Sequence, residues 1–210
     1  AKRFKVCNDC ELLLWAGTPD GWGIGLIAGT GSIAVGKAAD GRMGVAGGWG
    51  YLIGDEGSGY AIGQAALHAV TQAVDGRAPK TLLVEKVLKF WNLKTAKDLL
   101  PQVYGGQSWK PEIAQLSKPV VEAAVEGDAV AQAILNQAAV DLAKTVCAVA
   151  RQLDFSGQVP LALGGGVVVN NDKLAESVIA QIHAMGIDVS PITKVSEPVT
   201  GAVRMALSLD

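Results

Sequence analysis

The chain has 210 residues, of which 50% are hydrophobic and 18% are charged, so it can build one large domain with a sizeable core. A net charge of −2, few aromatic residues and no basic run argue against nucleic acid as a main partner. No uninterrupted apolar run approaches the roughly 18 residues of a spanning helix, and no signal peptide follows Lys2, Arg3 and Lys5. We therefore expect no membrane association.

The cysteines and histidines bound the redox and metal chemistry. Three cysteines, an odd number, are typical of a reducing cytoplasm, which is the expected location. Cys7 and Cys10 form a Cys-x-x-Cys pair that a redox site could use, although burial as ordinary core residues is the simpler interpretation. Cys147 falls among apolar residues and is expected in the core. His68 and His183 are each alone in a helical pattern, which excludes a histidine-based metal site.

The first quarter of the chain predicts short strands joined by turns. The predicted elements are a strand over Phe4–Asp9, a helix over Cys10–Ala16, a turn at Gly17–Gly21, and strands over Gly23–Ala28, Ile33–Lys37 and Arg42–Ala46. The Asp40-Gly41 pair is a strong hairpin signal. Residues 22–46 should therefore form an antiparallel meander.

A glycine-rich loop follows, with six glycines between Gly47 and Gly59. A helix is predicted from about Tyr60 to Val74. Asp55 and Glu56 would lie where this helix begins, and acidic residues there suit the positive end of the helix dipole.

The rest of the chain predicts helices, then an α/β ending. The predicted helices are Thr81–Phe90, Thr95–Val103, Pro111–Val125, Asp128–Leu153, Asn170–Met185 and Pro198–Leu207, and the predicted strands are Gln158–Leu163 and Ile187–Val195. A strand, glycine turn, helix, strand and helix in succession indicate an α/β layered fold.

Two glycine turns are candidate nucleotide-binding sites. Gly29-Thr30-Gly31-Ser32 joins two strands, and its backbone N–H groups could cradle phosphate oxygens, although a plain hairpin turn explains the same residues. No Gly-Lys-Ser/Thr follows, so it is not a Walker sequence. Gly164, Gly165 and Gly166 end a buried strand, the edge at which α/β sheets bind ligands, although a loop that needs positive φ is the alternative.

Two side chains could act on a substrate. Asp9, at the end of the first predicted strand, could be a general base that accepts a hydroxyl proton, or it could only cap the following helix. Trp49, between glycines, could stack on a sugar or base, or it could be a core aromatic.

Taken together, these motifs resemble one family. The run from Pro19 to Ile24, the Gly29–Ser32 turn, Gly47-Gly48-Trp49-Gly50 and Gly54-Asp55-Glu56-Gly57-Ser58 are similar to the N-acetylglucosamine kinase group of the BadF/BadG ATPase-like family. That group belongs to the sugar kinase, Hsp70 and actin superfamily. The likeness is most specific over residues 5–75, and it extends to residues 159–207 through the second glycine turn.

The resemblance implies an α/β, ribonuclease H-like lobe with a mixed sheet and a helical insertion. It also implies a kinase that uses ATP and Mg²⁺ to phosphorylate a hydroxyl of a small amino sugar, N-acetylglucosamine or glucosamine. It implies a catalytic base at Asp9, ATP-binding residues at Thr30, Gly31, Ser32, Gly164, Gly165 and Gly166, and sugar-binding residues at Gly48, Trp49, Gly50 and Asp55. It gives no metal ligand.

The family's first phosphate loop has no counterpart in this sequence. We therefore expect residues 1–20 to be a crossover from a further N-terminal lobe, and residues 21–210 to be the C-terminal ATPase lobe with its helical region at 80–155. Two other functions stay open: an activator ATPase of acyl-CoA dehydratases or reductases, with an iron–sulfur cluster between subunits, and a non-catalytic nucleotide- or sugar-binding module. The alanine-rich helices could offer a homodimer face.

Overall fold

The computed structural model describes residues 9–105 and 109–208. The strands are β1 (Gly23–Ala28), β2 (Ser32–Lys37), β3 (Met43–Gly47), β4 (Val159–Gly164) and β5 (Val189–Val195). The helices are α1 (Asp9–Gly17), α2 (Gly59–Val74), α3 (Leu83–Phe90), α4 (Leu99–Tyr104), α5 (Trp109–Gln115), α6 (Ser117–Val125), α7 (Ala129–Gln152), α8 (Gly166–Val169), α9 (Asp172–Ala184) and α10 (Thr200–Leu207). Short 3-10 segments lie at Pro19–Gly21 and Ala96–Asp98.

Within the described residues, the five strands form one mixed sheet in the order β3-β2-β1-β4-β5. β1, β2 and β3 are antiparallel, which confirms the predicted meander, and β4 runs parallel to both β1 and β5. Because β1 and β4 are parallel and Ile27 pairs with Gly164, both strands end at the same edge of the sheet. That edge, the carboxyl edge, carries both glycine turns.

Helices cover both faces of the sheet. On one face, Leu13 of α1 packs against Ala162 and Val195, and α10 packs against α1. On the other face, α7 and α9 build the main core, in which Leu142 and Val146 meet Leu26 of β1. The predicted α/β layering is confirmed.

The helical insertion is built on α2 and α7. A second core cluster joins Ile62 of α2, Val87 of α3, Leu116 and Val120 of the α5–α6 region, and Ala131 of α7. The insertion is therefore attached to the sheet through α7, which takes part in both clusters.

Among the described residues, α7 is the one helix that is long and apolar enough to cross a membrane by length and composition alone. Leu142, Val146 and Val149 of this helix are buried in the main core, so packing against the sheet accounts for its apolar character.

Several predicted boundaries are wrong for identifiable reasons. The predicted helix Pro111–Val125 is two helices broken at Leu116, which is fully buried. The break makes Pro119 the third residue of α6, within the first turn, where a missing N–H costs no helical hydrogen bond. The same rule explains why the helix predicted from Thr95 becomes a 3-10 segment followed by α4, in which Pro101 is again the third residue.

Two further differences concern the candidate site. Asp9, predicted at the end of a strand, is instead the first residue of α1, and the rest of that predicted strand lies outside the described residues. Asp55 and Glu56 lie just before α2, which begins at Gly59, one residue before the predicted start, with Ser58 rather than an acidic residue as its N-cap.

Candidate functional site

The turn between β1 and β2 lies on the N-terminus of α2. The N–H of Gly59 donates to the carbonyl of Gly29 at 2.8 Å, and the N–H of Tyr60 donates to the carbonyl of Thr30 at 3.4 Å. The Ser58 hydroxyl, fully buried, accepts the N–H of Ala61 at 3.2 Å. The first three N–H groups of α2 are thus occupied by the turn and the N-cap, and it is the dipole of the helix that favours negative charge over the turn.

The same turn is tied to the glycine-rich loop through Ser32. The Ser32 N–H donates to Asp55 Oδ1 at 3.2 Å, and the Ser32 hydroxyl donates to the carbonyl of Glu56 at 2.7 Å. A Cβ at Gly31 would lie 2.8 Å from Asp55 Oδ2, so a side chain there would displace the carboxylate. Gly31 and Ser32, predicted as phosphate ligands, thus face the loop in this structure.

The second glycine turn approaches the end of β1 closely. Gly165 has φ +86°, and a Cβ there would lie 2.4 Å from the Ala28 carbonyl oxygen, so only glycine fits. Gly164 is the last residue of β4, and Gly166 begins α8 with its Cα exposed. The helix predicted from Asn170 begins after this short helix, with Asn171 as the N-cap of α9.

A cleft of about 600 Å³ lies between the carboxyl edge and the helical insertion. Such a volume falls in the range of small-molecule sites. Thr30 lines the cleft from the sheet side and Gly166 from the second glycine turn, while Lys118 of α6 adds a positive charge on the opposite wall. Its other lining residues include Gly29, Pro111, Gln115, Ser117, Glu122, Val167, Asn170 and Asn171.

Asp9, the first residue of α1, is exposed and is not among the residues that line the cleft. Its neighbour Cys10 is buried in a cluster with Leu14 and Val35, against which Ile27 and Ile33 pack. Ile27 and Ile33 flank the β1–β2 turn, so the N-terminus of α1 points towards that turn. The carboxylate is accordingly accessible to a substrate that sits over the carboxyl edge.

The predicted sugar-binding residues do not converge on one surface. Trp49 is 73% exposed, which rules out the alternative of a core aromatic, and Gly48 and Gly50 adopt positive φ on either side of it. Asp55 is only 4% exposed and has φ +61°, a conformation uncommon outside glycine. Such a strained residue persists only where its surroundings hold it.

The described cysteines are buried. Burial, together with the neighbouring Asp9 carboxylate, raises the pKa of the Cys10 thiol to about 12, and burial raises the pKa of Cys147. Cys7 lies outside the described residues, so the Cys-x-x-Cys pair cannot be assessed as a unit. Over residues 9–105 and 109–208, no group of three potential metal-ligating side chains is present.

The sequence does not predict that α5 and α6 form the wall of the site opposite the carboxyl edge. Lys110 and Lys118 follow no motif, since single lysines in a helical pattern normally face solvent. They reach the site only because α5 crosses α2 closely at Gly63, where a Cβ would lie 2.0 Å from the Ile113 carbonyl oxygen. The one usable signal was the glycine at position 63, which marks a close helix crossing.

Two curated proteins are similar in sequence over nearly the whole chain. The chain is 38% identical over 207 residues to an N-acetylmuramic acid/N-acetylglucosamine kinase from Clostridium acetobutylicum, a match that covers 98% of this chain and 68% of that protein. It is 33% identical over 211 residues to an N-acetyl-D-glucosamine kinase from Dictyostelium discoideum, covering 98% of this chain and 66% of the relative. The chain therefore spans about two thirds of the length of these curated relatives.

A solved structure shares the fold. A candidate N-acetylglucosamine kinase from Chromobacterium violaceum superposes with a TM-score of 0.68 at 30% identity, over 93% of this chain and 63% of that one. The sequence model of the BadF/BadG/BcrA/BcrD ATPase family matches residues 1–206. The chain therefore belongs to the BadF/BadG/BcrA/BcrD ATPase family.

Proposed function

We propose that this chain is part of an ATP-dependent kinase that phosphorylates a hydroxyl group of an amino sugar, N-acetylglucosamine or glucosamine. The chain would supply the nucleotide-binding cleft and the glycine-rich loop at residues 47–59, which we call the sugar loop. The observation that carries the proposal is the cleft at the carboxyl edge, a space of about 600 Å³ that both Thr30 and Gly166 line. The names of the relatives support the substrate class.

The cleft fits a nucleoside triphosphate in two respects. Its phosphates would lie over the Gly29–Thr30 turn, where the dipole of α2 favours negative charge. The adenosine would lie against Gly166, because a residue without a side chain lets a flat base approach the backbone. Lys118 would contribute a further positive charge.

Magnesium would enter with the nucleotide. Its ligands would include phosphate oxygens of the nucleotide and water. The ion would neutralise the charge of the phosphates during transfer.

Asp9 would be the general base. Its carboxylate would accept the proton of the attacking sugar hydroxyl. The hydroxyl oxygen would then bond to the γ-phosphorus, the bond from that phosphorus to the bridging oxygen of ADP would break, and ADP would leave. The exposure of Asp9 supports this role.

The length of the relatives supports a further part of the proposal. Since this chain spans 68% and 66% of them, we expect a second lobe outside this sequence, joined through residues 1–20, to close over the cleft. A cytoplasmic location and a homodimer through the alanine-rich helices also stay predictions.

A coupled assay of ADP formation tests the function. Magnesium-ATP would be supplied with N-acetylglucosamine, glucosamine, glucose or no sugar, using this chain and a version extended upstream to the length of its relatives. ADP that forms only with an amino sugar supports the kinase. ADP formation that is independent of sugar, or no ADP from the extended version, contradicts it.

The activator ATPase is the less favoured alternative. Cys10, one of the two cysteines that could hold a cluster, is buried, and its raised pKa disfavours the thiolate that binds iron. A brown, iron-containing protein after anaerobic purification would favour the activator over the kinase. A non-catalytic module would bind ATP or sugar but form no ADP.

A further inference from the structure

The best-defined charge pair near the candidate site joins the helical insertion to the sugar loop. Lys110, in α5, places Nζ 3.4 Å from Asp55 Oδ2, while Asp55 Oδ1 accepts the Ser32 N–H. The ammonium also lies 4.9 Å from the centre of the Tyr51 ring, within range of a cation–π interaction. Lys110 thus contacts two residues of the loop at once.

The two members of the pair differ in exposure. The Asp55 side chain is 6% exposed, whereas the Lys110 side chain is 32% exposed. A carboxylate that is buried this deeply is costly unless it is paired and hydrogen-bonded. A ligand that approaches the loop would therefore meet the ammonium before it meets the carboxylate.

We propose that Lys110 is a positioning and specificity-determining residue, which orders the sugar loop through Asp55 and Tyr51 and makes the subsite favour an uncharged amino sugar over a protonated one. The proposal rests on the proposed function and decides between its two substrates. An unpaired Asp55 would attract the ammonium group of glucosamine. The Asp55–Lys110 pair carries no net charge, and the exposed ammonium group of Lys110 repels a second cation.

The N-acetyl group has the complementary character. Acetylation removes the positive charge of the amine and leaves an amide that can donate and accept hydrogen bonds. The structure thus favours N-acetylglucosamine over glucosamine at pH values where the free amine is protonated.

Three variants separate the effects of charge, order and general disturbance. Lys110→Met keeps the length of the side chain without its charge, and Lys110→Arg keeps the charge. Lys144→Met is the matched control, because Lys144 forms an exposed ion pair with Asp141 at 3.3 Å on α7. Calorimetry at pH 6 would measure the binding of N-acetylglucosamine and of glucosamine to each.

We expect Lys110→Met to weaken binding of N-acetylglucosamine about tenfold, because it leaves the buried carboxylate without its cation. The same variant should shift the preference between the two sugars towards glucosamine by severalfold. Lys110→Arg should retain the preference, and Lys144→Met should change neither affinity. Equal weakening of both sugars by Lys110→Met would overturn the specificity role.

Backbone hydrogen exchange gives a readout that needs no sugar. Exchange at residues 30–32 and 50–57 should be faster in Lys110→Met than in the wild type, and unchanged in Lys144→Met. Unchanged exchange in Lys110→Met would overturn the positioning role. If neither the wild-type chain nor its version extended upstream binds either sugar, the proposed function fails, and the exchange measurement still decides whether Lys110 orders the loop.

Discussion

Ser32 shows how one residue links two parts of the site. Its backbone N–H donates to Asp55 and its hydroxyl donates to the carbonyl of Glu56, so the β1–β2 turn and the glycine-rich loop are held together. Thr30, two residues earlier, instead lines the cleft. A phosphate bound at Thr30 and a sugar bound at the loop would therefore be positioned by the same short segment.

Replacing Asp9 tests the proposed base. Asp9→Asn should lower sugar-dependent ADP formation by about 10²–10⁴-fold, because the amide cannot accept the hydroxyl proton. Binding of a non-hydrolysable ATP analogue should be unchanged. Asp20→Asn, an exposed aspartate at φ +50° beyond the other end of α1, is the matched control. Unchanged turnover in Asp9→Asn would reject the base assignment.

The thiol of Cys10 should be inert at neutral pH. Burial and the adjacent Asp9 raise its pKa to about 12 by disfavouring the charged thiolate. In a Cys7→Ser, Cys147→Ala background, its reaction with a disulfide reagent at pH 8 should be roughly 10³-fold slower than that of free cysteine. The rate should still be rising above pH 9. A reaction midpoint near pH 8.5 would contradict the buried placement.

At the scale of single elements, patterns of hydrophobicity and turn residues predicted most of the secondary structure. Apolar periodicity and Asp40-Gly41 were enough for the meander, and the helix predicted over Asp128–Leu153 is α7, with Asp128 as its N-cap. The wrong helix boundaries at α4 and α6 arose because the prediction did not use the preference of proline for the first turn of a helix. Pro101 and Pro119 both require a helix start two residues earlier.

The N-cap of α7 should contribute a pH-dependent part of the stability. Asp128 accepts the N–H groups of Ala131 and Leu82 and the hydroxyl of Thr81. Partial burial by itself raises the pKa of this carboxyl, but these hydrogen bonds outweigh it and lower the pKa below its usual value. The stabilisation is therefore present above about pH 3.9 and is lost as the pH falls through the lowered pKa.

Asp128→Ala should lower the free energy of unfolding by about 2 kcal/mol at pH 7, since the cap and its links to α3 are lost. Urea denaturation would measure the change, and the difference from wild type should shrink below pH 3. Asp75→Ala, which removes an exposed aspartate after α2, should change the free energy by less than about 0.5 kcal/mol. An equal effect of the two changes at pH 7 would contradict the role of the cap.

At the scale of the whole molecule, the site exists because the sheet and the helical insertion meet through α7. The glycine turns could be found from the sequence, since glycine density and strand ends are local signals. The opposite wall could not, because Lys110 and Lys118 belong to helices whose place depends on the packing of α2, α5 and α7. Contacts between Lys110 and Asp55 span 55 positions and leave no local pattern.

The proposed function depends most on ATP binding in the cleft that Thr30 and Gly166 line. The most direct test is a calorimetric titration of magnesium with a non-hydrolysable ATP analogue into the wild-type chain and into Gly166→Leu. Gly166 is exposed at the start of α8, and a Cβ there meets only the Asn170 amide, at 3.4 Å, so leucine should fill the cleft without disturbing the fold.

Ala180→Leu, an equally exposed position on α9 away from the cleft, is the control. We predict that the wild type and Ala180→Leu bind the analogue with equal affinity, and that Gly166→Leu weakens binding at least tenfold. Absence of binding to the wild type, or equal binding by all three proteins, would contradict the placement of ATP in this cleft.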